Sequence, residues 1–90
     1  MNAMRAVEQY LKQNQSRFVA DLAEYVGFAS VSAQPEHQKD VVACAHWLTR
    51  HMRQIGLEAR LIETSGHPIV VAKTPRPAPH RRPHYLVYGH

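Results

Sequence analysis

The sequence predicts an α/β fold in which two N-terminal helices are followed by three strands, the start of a larger domain. Three observations carry this reading. Apolar residues recur at three- and four-residue steps as far as Ile55, the period of a helix with one buried face. After Gly56 the period falls to two, as in a strand with one buried face. Short β-branched and aromatic runs then alternate with turn residues.

The first helical stretch runs from about Met4 to Tyr25, with Met4, Val7, Leu11, Phe18, Leu22 and Tyr25 in its stripe and Gln15 filling the gap. The polar run Gln13-Asn14-Gln15-Ser16 marks a bend or break, with Ser16 able to cap a second piece. Gly27 stops the stretch. Pro35 opens the next helix, where its missing N–H costs nothing. That helix extends to about Ile55, with Val41, Cys44 or Ala45, Leu48, Met52 and Ile55 as its stripe and Trp47 widening it. Gly56 suits a C-terminal cap at positive φ.

Leu57, Ala59 and Leu61 then alternate with Glu58, Arg60 and Ile62 as a first strand. Thr64 to Pro68 is a turn cluster, and Ile69 to Ala72 is a second strand, the hairpin partner of the first. Residues 74–84, rich in Pro and Arg, read as an extended connecting loop. Tyr85-Leu86-Val87-Tyr88 is apolar throughout, which predicts a third, central strand covered on both faces. A sheet of three strands with two helices leaves edges uncovered, so residues 1–90 read as the first part of a larger α/β domain.

Ninety residues allow one small domain at most. Residues 1–72 hold seven Lys/Arg and seven Asp/Glu, which cancel, so the net charge of +4 rests on Lys73, Arg76, Arg81 and Arg82. Such a tract could contact phosphates. It lacks the interleaved aromatics that stack on bases, and it lies between two expected strands. A solvated loop with no nucleic-acid partner is the reading favoured. A small basic module that contacts a polyanion through Arg76–Arg82 is the alternative. One cysteine, Cys44, forms no internal disulfide and reads as a buried structural thiol. No apolar run approaches the roughly 20 residues of a membrane span, and the first residues lack a signal-peptide core. A cytoplasmic protein with no membrane partner is expected.

Seven histidines invite a metal hypothesis. His46 and His51 are five apart on one helix and do not share a face. His37 lies in a first helical turn, His67 precedes a proline in a turn, and His80 and His84 flank prolines. For His67 a backbone or packing role is expected, and for the others an exposed or solvated one. His90 differs, because an apolar strand delivers Gly89 and then His90 to the strand's C-terminal end, where functional groups of α/β sheets gather. A neutral imidazole there is a standard zinc ligand, but a catalytic zinc needs about three protein ligands.

Several pieces, in order, resemble the zinc-dependent exopeptidase and deacylase family that includes carnosinase-like dipeptidases, aminoacylase, acetylornithine deacetylase and succinyl-diaminopimelate desuccinylase. Phe28-Ala29-Ser30-Val31-Ser32 resembles the family's (Ile/Leu)-Pro-Ser-(Val/Ile)-Ser, with Ala29 where proline is usual. Glu63 to Ala72 resembles the turn and strand of the dipeptidase branch. Leu86-Val87-Tyr88-Gly89-His90 resembles the opening of aliphatic-x-Gly-His-x-Asp. The resemblance implies a three-layer catalytic domain with a mixed sheet, begun by this chain. It implies peptide or amide hydrolysis by a two-zinc site (cobalt or manganese being alternatives), with His90 as one metal ligand. It also implies a small peptide or N-acyl amino acid as substrate, and it allows a homodimeric parent. The remaining ligands and the general base lie outside residues 1–90. No residue here is expected to be catalytic in itself, and the chain alone is expected to be inactive.

Overall fold

A computed structural model describes residues 2–75 and 83–90. It is an α/β arrangement of three α-helices followed by two antiparallel strands: α1 (Ala3–Gln13), α2 (Gln15–Val26), α3 (Gln38–Gln54), β1 (Glu58–Ile62) and β2 (Ile69–Lys73). A single 3₁₀ turn, Pro35–His37, leads into α3.

Asn2 caps α1, its Oδ1 accepting from the Met4 N–H at 3.0 Å. The long first helix expected to about Tyr25 is divided at Asn14. There the backbone N–H and the side-chain Nδ2 both donate to the Tyr10 carbonyl, at 3.0 and 2.9 Å. A side-chain bond added to the carbonyl four residues back bends a helix in this way. Asn14 is therefore the joint, and Ser16 lies inside α2 rather than capping it. Two expected helices become three.

α2 ends at Gly27, whose N–H reaches the Ala23 and Glu24 carbonyls. A Cβ at Gly27 would stand 3.2 Å from the Glu24 carbonyl oxygen, a tight fit that favours glycine. α3 ends in a Schellman arrangement. The Leu57 N–H donates to the Met52 carbonyl at 3.0 Å and the Gly56 N–H to the Arg53 carbonyl at 3.1 Å. Gly56 supplies the positive φ, 98°, that this closure needs.

The hairpin pairs Ala59 with Ala72 and Leu61 with Val70 on one face, and Glu58 with Lys73, Arg60 with Val71 and Ile62 with Ile69 on the other. Ala59, Leu61, Val70 and Ala72 form the covered face, and both strands pack against α3. The alternation expected of β1 is thus the one observed. The core is thin: among the described residues only Cys44, Thr49 and Ala59 are buried. Thr49 donates from Oγ1 to the Ala45 carbonyl at 2.8 Å, which satisfies its hydroxyl inside its own helix. Ile55, expected in the stripe, is exposed beyond the helix end. The radius of gyration, 16.0 Å, exceeds the about 12 Å of a compact chain of this length. The arrangement is accordingly open.

The third strand expected over Tyr85–Tyr88 is not formed. Residues 83–90 make neither helix nor strand, and Tyr85, Leu86, Val87 and Tyr88 are 81–92% exposed. A strand is defined by its partner, and no backbone hydrogen bond joins these residues to another described segment. The sheet present is two-stranded and wholly antiparallel. Of the Pro/Arg loop over 74–84, Arg76 to Arg82 lie outside the described residues, as does His80. No helix among the described residues is long and apolar enough to cross a membrane.

Candidate functional site

His90, the expected metal ligand, is exposed, and the Tyr88 hydroxyl lies 3.4 Å from its Nδ1. Among the described residues no group of three or more His, Cys, Asp and Glu side chains is placed to hold a metal ion. Among the described residues the donor set around His90 is therefore a single imidazole.

The other described histidines are engaged in packing and local hydrogen bonds or lie in solvent. His37 Nδ1 lies 3.0 Å from Asp40 Oδ2 at the start of α3. His46 and His84 are exposed. His51 stacks on Trp47 with ring centroids 4.9 Å apart and planes within 6° of parallel. His67 Nε2 lies 2.8 Å from the Ser32 carbonyl oxygen. The carbonyl can only accept, so the Nε2–H tautomer donates.

Shallow grooves among the described residues include two of similar size. The first, about 280 Å³, lies between α2 and α3 and is lined by Asp21, Glu24, Trp47, Arg50, His51 and Gln54. Trp47 is its centre. Nε1 donates to Glu24 Oε1 at 2.8 Å, and the indole also meets the rings of Tyr25 and Phe28 at 5.7 and 6.3 Å. The second, about 270 Å³, lies where residues 32–35 meet the hairpin turn and includes Ser32, Gln34, Gln38, Ser65 and His67. Thr64 shapes that turn, its Oγ1 accepting from the Gly66 N–H and donating to the His67 carbonyl. The second groove carries no carboxylate, lysine or arginine, so it is suited to a neutral polar group.

No family model matches the chain, and no solved structure matches it. What the arrangement can do must be read from these side chains alone. The Glu24–Trp47 contact spans 23 residues and has no local sequence signal. The Trp47–His51 stack does have one, since residues four apart on a helix are neighbours. Tyr10 is half exposed and holds the α1–α2 joint. It lies 6.0 Å from the Phe18 ring and accepts from Arg17 Nη2 at 2.8 Å.

Cys44 is buried on α3, as expected. Burial pushes its thiol up from the ordinary value, and a hydrogen bond with Ser30 opposes this in part. The proton is therefore held more tightly in the folded chain than in the unfolded one. Two consequences follow from that sign. In neutral buffer the thiol should react with a disulfide reagent far more slowly when folded than in denaturant. Stability should be unaffected by Cys44 below the ordinary thiol value of 9.0. Above it stability should fall with pH, because the unfolded chain then binds fewer protons. Thiol titration with and without denaturant checks the first, and unfolding midpoints of wild type and Cys44→Ala across alkaline pH check the second. Equal reactivity in both states would contradict the burial argument.

Proposed function

We propose that this chain is the N-terminal segment of a metal-dependent hydrolase that cleaves peptide or amide bonds, of the dipeptidase or N-acyl amino acid deacylase kind. The observation that carries the reading is the tether from His67 to the Ser32 carbonyl at 2.8 Å. It joins two of the segments that bear the resemblance, Phe28–Ser32 and Glu63–Ala72, across 35 residues of sequence. α3 and the hairpin that lie between and around them follow in the order the resemblance implies.

In this proposal the chain contributes framework and one ligand. α3 and the hairpin form a platform, the His67 tether holds the Ser30–Ser32 connection against the hairpin turn, and His90 supplies an imidazole. Zinc, when bound in such enzymes, acidifies water and polarises a carbonyl. The residues described here do not assemble a site for it, so no catalytic step is assigned to them.

The test is the product of the complete reading frame. The expected outcome is an Asp two residues after His90, about two zinc ions per chain by metal analysis, and hydrolysis of simple dipeptides or N-acyl amino acids that is lost in His90→Ala. A frame without that Asp, or a product that carries no metal, would overturn the proposal. The polyanion alternative rests on the charge of Arg76, Arg81 and Arg82 in the sequence. Salt-dependent binding of a short oligonucleotide by the 90-residue chain would favour it.

A further inference from the structure

The two strands of the hairpin each leave one edge without a strand partner among the described residues, and the two edges differ in chemistry. β1 is charged along its open face, where Glu58 and Arg60 stand, and Arg53 reaches from α3 to donate from Nε to the Ala59 carbonyl at 2.9 Å. Charge and side-chain capping are how natural sheets keep an edge from pairing. β2, Ile69-Val70-Val71-Ala72-Lys73, has no charge before its last residue. Ile69 and Val71 are 52% and 41% exposed, and among the described residues no backbone hydrogen bond reaches β2 except from β1.

We infer that β2 is the pairing edge for β2 of a second copy of this chain, antiparallel about a two-fold axis through Val71. With Val71 opposite its own copy, Val70 faces Ala72 and Ile69 faces Lys73, so no like charges are opposed. Because the axis is normal to the sheet, Ile69 and Val71 of both copies stay on one face. There they extend the apolar contact that Ile69 already makes with Ile62 into a strip crossing four strands. Centred on Arg60, the same operation on β1 sets Arg60 against Arg60, and like charges directly opposite destabilise a strand pair; centred on Ala59 it pairs Glu58 with Arg60 but needs the Ala59 carbonyl, which Arg53 already occupies. The Arg53 cap thus blocks the β1 edge and leaves the uncharged edge of β2 open. A two-stranded hairpin is marginal in water, and a four-stranded sheet with α3 packed on each half relieves that. The test involves neither His90 nor any metal, so its failure and the failure of the hydrolase reading are read out separately.

Sedimentation of the 90-residue chain over a concentration series tests it. Dimer is expected at the concentrated end and monomer on dilution, because a single strand pair buries little area. Val71→Lys and Val71→Glu should each be monomeric throughout, with the circular dichroism of the wild type, since Val71 points away from α3. Mixing the two variants should restore a dimer, Lys opposite Glu. Wild-type chain that is monomeric at every concentration overturns the inference, as does a Val71→Lys variant that dimerises like the wild type. A monomer whose Tyr85–Tyr88 amides are protected from hydrogen exchange also overturns it, and gives the edge to the chain's own segment.

Discussion

Replacing Trp47 with alanine should cost about 3 kcal/mol and should loosen the attachment of α1 and α2 to the rest of the chain. One indole there meets Tyr25 and Phe28, bonds to Glu24 and stacks on His51. α1 and α2 have no buried residue of their own, and isolated helices shorter than about 12–15 residues are marginal in water. Their order therefore depends on this contact with α3. A chain of this size has about 5–14 kcal/mol in all, so the loss is a large share. Denaturant unfolding followed by far-ultraviolet circular dichroism is the measurement, and helical signal should fall before denaturant is added. Trp47→Phe separates the parts, because it keeps a ring on Tyr25 and Phe28 and loses only the Glu24 bond, worth about 1 kcal/mol. A Trp47→Ala chain that unfolds at the wild-type midpoint would remove Trp47 from the centre of the fold.

Much of this architecture was legible because it rests on local physics. The alternation of Leu57 to Ile62, the turn chemistry of Thr64 to Pro68 and the glycine at position 56 each act within a few residues. The structure keeps all three. Asn14 was harder to place, because the polar run offered four candidate joints and only the extra side-chain bond to the Tyr10 carbonyl selects one. Thr49 was invisible to an apolar stripe, since a threonine that bonds its own helix can be buried without a partner elsewhere.

The candidate site was legible only as residue types. His90 has the chemistry of a ligand, but a metal site is a property of several groups meeting, and the described residues bring no others to it. The run Tyr85 to Tyr88 has strand propensity, yet propensity supplies no partner for its backbone, and the segment stays exposed. His67 illustrates the converse. Its sequence context suggested a backbone or packing role, and the fold gives it a hydrogen bond to the Ser32 carbonyl, a partner that turn chemistry alone does not specify.

Substitution at Gly56 is expected to show how the hairpin is set against α3. With φ at 98°, Gly56 lies where L-residues are strained, while a Cβ there would meet no atom within 4 Å. Any loss is then a backbone effect and not a clash, which makes the position a clean test. Valine, stiff at χ1 and least tolerant of positive φ, should cost about 3 kcal/mol. Alanine should cost about 1–2 kcal/mol, and asparagine, which enters the left-handed region more readily, about 1 or less. The order Val, Ala, Asn follows from the dihedral angle, whereas a packing effect would follow side-chain volume and place Asn beyond Ala. Unfolding midpoints of the three variants decide between these. The two backbone bonds from Gly56 and Leu57 to the Arg53 and Met52 carbonyls should weaken together in hydrogen exchange, because a single positive φ closes both. If Gly56→Val exchanged and unfolded like the wild type, the chain would leave α3 by another route, and the seating of Ala59 against that helix would need a different cause.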